Sequence, residues 1–128
     1  MRNDDNRVAI SRARGLGSAK TGAGQWRWQR VTAVALVPLV VWSLASLIAV
    51  VGGGREAVVE WLAMPGAAIP MILLLIALFW HIALGLMVVA EDYLHRDGVR
   101  FAAVAVIKLG CMALGVTGVV AMVLALIA

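Results

Sequence analysis

Phe79-Trp80-His81-Ile82-Ala83-Leu84-Gly85-Leu86-Met87-Val88-Val89-Ala90-Glu91-Asp92-Tyr93 is the stretch on which the reading of this 128-residue chain turns. An apolar run holds one histidine, then stops abruptly at two carboxylates and the chain's only tyrosine. An α-helix turns about 100° per residue, so the path from His81 to Asp92 closes about three whole turns. The two side chains then share a face, about 16 Å apart along the axis. One polar group lies deep in the run and the other at its rim.

The flanks have the same character. From Trp61 to Ala90, 30 residues carry no formal charge. The helix is expected to begin near Ala67, with Pro70 in its first turn, where a missing N–H costs nothing. Residues 91–100 form a compact charged turn, and Phe101 to Ala128 is again apolar except for Lys108. Upstream, Val31 to Val51 gives 21 uncharged residues, enough to cross a hydrocarbon core of about 30 Å. Pro38 within it predicts a kink rather than a stop, because lipid does not tolerate exposed unpaired backbone. Gly52-Gly53-Gly54 ends that run. Residues 55–66 then form a short connection with an amphipathic middle suited to the outer membrane surface.

Composition supports the same solvent. The chain is 63% hydrophobic and 14% charged, with a mean hydropathy of +0.98, more apolar surface than a soluble domain of this size can hide. The expected fold is an all-α membrane protein with three transmembrane helices, up-down-up, at about 31–51, 67–90 and 101–127. The net charge of +4 does not point to nucleic acid, because seven of the eleven Lys and Arg lie in the first 30 residues. That clustering fits a cytoplasmic flank under the positive-inside rule. Residues 1–30 are therefore expected to be a cytoplasmic basic segment, kept from regular helix by Gly15, Gly17, Gly22 and Gly24. The C-terminus then falls outside. No short apolar core follows a brief basic start, so a cleaved signal is not expected. The single cysteine, Cys111, lies in an apolar run and reads as a packing residue, with no disulfide framework.

An ionisable group deep in a membrane span is costly and marks function by default. Four roles compete for His81: haem axial ligand, proton relay, ligand to another metal, or a histidine bonded to a neighbouring helix. Small residues one turn either side, Ala77 and Gly85, leave room for a flat macrocycle or for close helix packing. The only other histidine, His95, lies about 21 Å further along a continuous helix and cannot reach the same iron. Met87 lies too far along the same helix, and Met112 is a possible ligand, but three spans make a poor cage for a haem, so a ligand from a partner subunit is expected. Asp92 and Tyr93 fit either an ordinary helix end or a quinone site, where a phenol donates to a quinone carbonyl. Arg30 and Trp28, placed at the same inner interface, can line that site or meet haem propionates. Lys108 is expected to snorkel to the surface.

Gly17-Ser18-Ala19-Lys20 leading to Trp26-Arg27-Trp28-Gln29-Arg30-Val31-Thr32-Ala33, then His81-x-x-x-Gly85, then Asp92-Tyr93, resembles the hydrophobic membrane anchor subunit of bacterial succinate dehydrogenase, complex II. The resemblance runs from about Gly15 to the end of the chain. It implies that His81 is an axial ligand (the metal ligand) to a haem b shared with a histidine of a partner subunit, and that Arg30 lies near the haem propionates. It further implies that Tyr93 hydrogen-bonds ubiquinone with Asp92 beside it. The implied partners are a cytochrome b556-type membrane subunit, with which the three helices complete a bundle, and an iron–sulfur subunit and a flavoprotein subunit on the inner face. The implied location is the bacterial inner membrane, N-terminus cytoplasmic and C-terminus periplasmic. One departure stands out: Gln25 occupies a place where relatives often carry histidine.

Two alternatives accompany this reading. A fumarate reductase-type anchor runs the same chemistry in reverse. A small transport or proton-conducting subunit would use His81 and Lys108 as a polar path, although a relay favours several ionisable groups on one face.

Overall fold

The computed structural model describes residues 19–128, so the first part of the basic segment, with Gly15 and Gly17, lies outside the described residues. Four helices follow in order: α1 Ala19–Val51, α2 Gly54–Ala63, α3 Pro65–Tyr93 and α4 Asp97–Ile127. Three of them, α1, α3 and α4, are long and apolar enough to cross a membrane. The described residues contain no strand. The all-α architecture with three long apolar helices is therefore the one expected.

The elements start and stop for local reasons. α1 begins at Ala19, so Gly22 and Gly24 do not break the helix as expected. An interior glycine costs about 1 kcal/mol relative to alanine, less than leaving backbone groups unpaired at an apolar boundary. The helix also runs through Pro38 without interruption. It ends at Val51, and Gly54 takes a φ of +76°, a left-handed turn that glycine adopts without a Cβ penalty. α3 starts with Pro65 in its first turn, the position expected for Pro70, which lies one turn further inside the helix. α4 opens on Asp97, whose carboxylate accepts from Arg100 Nη2 at 2.7 Å. An acid there complements the N-terminal end of the helix dipole.

α3 is the middle of the arrangement. It packs against α1 on one side and α4 on the other, while α1 and α4 have no close backbone approach to each other. The short α2 touches all three at one end, and its Trp61 lies 5.8 Å from the Trp42 ring of α1. Close approach comes from small side chains. Ala83 and Ala90 are among the few buried residues of α3, and a Cβ on Gly115 of α4 would stand only 3.4 Å from Phe79 Cβ. Small residues of this kind let helix backbones approach in lipid, where apolar attraction between helices is weak. Most large apolar side chains point outward, including Val34, Ile48, Phe101 and Ile127. This is the surface of a chain solvated by lipid or by other helices.

Candidate functional site

Among the described residues Thr32 is the most deeply buried polar residue of α1, 5% exposed, and it faces α3. Its Oγ1 lies 2.9 Å from His81 Nδ1. The same hydroxyl lies 2.7 Å from the Trp28 carbonyl oxygen and 3.1 Å from that of Gln29, the back-bonding a threonine makes within its own helix. Gln29, one turn earlier, brings its Nε2 to 3.5 Å from His81 Nε2. That is at the outer limit of a hydrogen bond. The other amide atom, Gln29 Oε1, is buried without a partner among the described residues. The amide packs over Gly85: a Cβ there would meet Gln29 Nε2 at 3.7 Å, an ordinary contact. His81 is thus half-buried in the seam between α1 and α3, with both ring nitrogens facing side chains of α1.

The Thr32–His81 contact also fixes the antiparallel register of the two helices. Moving from Thr32 back to Ala19 descends about 20 Å, and from His81 to Tyr93 about 18 Å, so the two ends come level. Arg30 and Trp28 consequently belong to the level of His81, not to that of Asp92 and Tyr93. The Trp28 ring stacks on Trp80 at 4.7 Å between centroids and 27° between planes, just beside the histidine. The Arg30 guanidinium lies 4.5 Å from the centroid of the Trp26 ring, on the exposed side of α1. A cation–π contact at an exposed site is worth about 0.5–1 kcal/mol, little enough for an anion to redirect the guanidinium. Sequence reading left Arg30 and Trp28 open between the quinone site and the haem propionates; the register puts both at the level of His81.

Tyr93 and Asp92 close α3 in the open. Tyr93 is 77% exposed, and its carbonyl accepts from His95 Nδ1 at 3.1 Å. Among the described residues neither its phenol nor the Asp92 carboxylate makes a hydrogen bond or ion pair. Lys108 lies on the other flank of α3 from His81. It lines an apolar cleft of about 480 Å³ between α3 and α4, with Trp80, Met87, Cys111 and Met112 among its walls. It also borders a smaller cleft of about 330 Å³ that reaches Gln25 and Glu91. His81 lines neither cleft. Cys111 is buried, in keeping with a packing role.

No group of three or more His, Cys, Asp or Glu side chains converges among the described residues. The chain's chemistry matches a single axial imidazole, as haem takes, better than a multidentate ion site. The fit to haem is supported by the ring's half-exposure and by the loosely held Gln29 amide at its Nε2, which leaves that nitrogen the replaceable side of the imidazole. Sequence reasoning missed Thr32 and Gln29 as members of the site. Their signal was present: polar residues three apart, at the start of an apolar run, share one helix face.

Residues 4–117 match the family described as the succinate dehydrogenase/fumarate reductase transmembrane subunit. The chain belongs to that family. Among similar proteins are two named succinate dehydrogenase hydrophobic membrane anchor subunit. One, from Rickettsia bellii (strain RML369-C), is 33% identical over 105 residues, covering 82% of this chain and 84% of the relative. The other, from Rickettsia conorii (strain ATCC VR-613 / Malish 7), is 29% identical over 119 residues, covering 92% and 94%. No solved structure gives a significant match. The family and the three apolar helices together make this chain a multi-pass membrane anchor subunit of the succinate dehydrogenase/fumarate reductase type.

Proposed function

We propose that this anchor attaches the succinate-oxidising subunits to the bacterial inner membrane and contributes one side of a haem b site and of a ubiquinone site. The observation that carries this reading is the placement of His81, the one imidazole within the three long helices, held across the α1–α3 seam through Nδ1. A flavoprotein subunit and an iron–sulfur subunit dock on the inner face, and a cytochrome b-type membrane subunit would supply the haem's other protein ligand. Seven of eleven basic residues precede Val31, which supports a cytoplasmic N-terminus and hence a periplasmic C-terminus after three crossings.

His81 offers Nε2 to the iron. Arg30, at the same level, supplies a cation for propionate carboxylates, and its contact with Trp26 is weak enough to yield. Haem in this site supplies a one-electron store beside the route to quinone. At the other end of α3, the Tyr93 phenol donates a hydrogen bond to a quinone carbonyl oxygen. That bond favours the negative charge developing on the oxygen during reduction, while Asp92 at the aqueous edge passes protons toward it. Trp28, expected from sequence at the quinone, lies against Trp80 and here walls the haem side. The family description covers both succinate dehydrogenase and fumarate reductase. The same residues serve either direction of electron flow.

The test is an optical spectrum, oxidised then reduced, of the complex purified in mild detergent from native membranes, with wild-type chain and with His81→Ala. Flavin, iron–sulfur and b-type haem bands in the wild type are expected, with haem lost or loosened in the variant while flavin is retained. Unchanged haem content and midpoint potential in His81→Ala would overturn the ligand assignment. A wild-type complex with its partners retained but without haem would overturn the haem site altogether.

A further inference from the structure

The hydroxyl of Thr32 has one proton and three neighbours that compete for it: the Trp28 carbonyl at 2.7 Å, the Gln29 carbonyl at 3.1 Å and His81 Nδ1 at 2.9 Å. A carbonyl oxygen can only accept, and the Trp28 contact is the shortest of the three. Directing the hydroxyl proton to Trp28 leaves Oγ1 with lone pairs toward the imidazole, so Nδ1 must carry a proton and donate it to Oγ1. A neutral imidazole then presents a lone pair at Nε2. The Gln29 atom nearest Nε2 is the amide nitrogen, a donor, which suits an Nε2 that accepts. The relay therefore runs from His81 Nδ1–H to Thr32 Oγ1, and from Thr32 O–H to the Trp28 carbonyl.

We propose that Thr32 is a positioning residue for His81: its hydroxyl fixes the Nδ1–H tautomer and the ring's rotation, aims the Nε2 lone pair at the iron, and tunes the donor strength of that nitrogen. The inference rests on the reading of His81 as a haem ligand. Metal-bound histidines as a class donate their second ring N–H to a fixed acceptor, which orients the ring and raises its basicity. Here the acceptor is a threonine hydroxyl polarised by a helix carbonyl. A more basic imidazole favours ferric over ferrous iron, so loss of the acceptor raises the haem midpoint potential. Burial matters to the mechanism. Thr32 is 5% exposed, so its hydroxyl meets the imidazole away from bulk solvent.

The experiment uses the assembled complex in native membranes with Thr32→Val, Thr32→Ser and His81→Ala, reading haem per flavin, midpoint potential by optical redox titration, and the ferric electron paramagnetic resonance signal. Valine keeps the shape and deletes the hydroxyl; serine keeps the hydroxyl. Thr32→Val is expected to favour ferrous over ferric haem by about tenfold, a rise of about 59 mV for a one-electron couple, with a shifted ferric signal. Thr32→Ser is expected to stay close to wild type. Haem loss in Thr32→Val alone, with flavin retained, also supports the proposal. An unchanged potential and ferric signal in Thr32→Val, while His81→Ala loses haem, overturns the positioning role and leaves the ligand reading standing. Equal damage in Thr32→Val and Thr32→Ser overturns it too, because side-chain volume would then be the requirement. Unchanged haem in His81→Ala removes the ligand reading and this inference together.

Discussion

Gly85 provides a graded test of whether the α1–α3 seam holds the functional geometry. A Cβ added there meets Gln29 Nε2 at 3.7 Å, an ordinary van der Waals separation. Gly85→Ala should therefore fit without displacing α1, and gains up to about 1 kcal/mol in helix propensity. Gly85→Leu adds three more carbons. A Cγ set about 1.5 Å beyond the Cβ and turned toward α1 overlaps the Gln29 amide, so the seam must open or the side chain must strain. Overpacking of this sort costs about 1–3 kcal/mol. Opening the seam also gives up the interhelical Thr32–His81 bond, about 0.6 kcal/mol on average for such bonds in membranes. The total is about 1.6–3.6 kcal/mol, on the order of 15- to 400-fold in the docking of α1 on α3. The assay is haem per flavin together with thermal inactivation of the complex in mild detergent. Gly85→Ala should match wild type in both, and Gly85→Leu should lose haem and inactivate at lower temperature. A leucine variant with full haem and unchanged inactivation would refute the reasoning. So would an alanine variant as damaged as the leucine one.

Three further outcomes separate the two ends and two flanks of α3. Tyr93→Phe should slow quinone reduction by about tenfold, the worth of roughly one hydrogen bond to a developing charge, while succinate oxidation by a soluble dye continues; equal loss of both activities would mean failed assembly. Gly115→Val places a branched side chain where a Cβ already stands 3.4 Å from Phe79. It should lower the thermal stability of the complex by about 1–3 kcal/mol without moving the haem potential, since α4 lies on the far side of α3 from His81. Asp97→Asn removes one exposed partner of the Arg100 ion pair and should change stability by no more than about 0.5 kcal/mol, measured by the same thermal assay.

Much of this architecture was legible from hydropathy, and the reason is physical. In lipid the backbone has to satisfy itself, so an uncharged run of sufficient length leaves helix as the remaining choice. His81 and the Asp92–Tyr93 rim were legible because polar groups in such runs are few. The register between helices was not. Reading each run separately put Trp28 and Arg30 at the edge where α3 ends, because Val31 starts the uncharged stretch. The structure instead begins α1 at Ala19, so that Trp28 to Thr32 lie beside the middle of α3, at a register set by the Thr32–His81 contact. Only a cross-helix contact carries that information. For the same reason the start of α1 was misjudged. Gly22 and Gly24 lower helix propensity locally, and propensity gives way where the backbone has no other partner.

The polar seam between α1 and α3 is poorly explained by adhesion alone. This chain buries few apolar side chains, among them Leu36, Leu84 and Met87, and most of its large apolar surface faces outward. A helix pair in lipid gains about 0.6 kcal/mol from an average interhelical hydrogen bond, no more than small-residue packing of the Gly115–Phe79 kind can provide. Ala83 and Ala90 already allow α3 to pack closely. A threonine and a glutamine placed against the one imidazole of the three long helices add little holding strength that an apolar pair would not. They add direction. On the proposed reading the hydroxyl selects which ring nitrogen bears the proton and so leaves the other as an acceptor. A seam built for adhesion would tolerate Thr32→Val at little cost, whereas a seam built to aim an imidazole would show the loss in the electronic properties of whatever that imidazole binds.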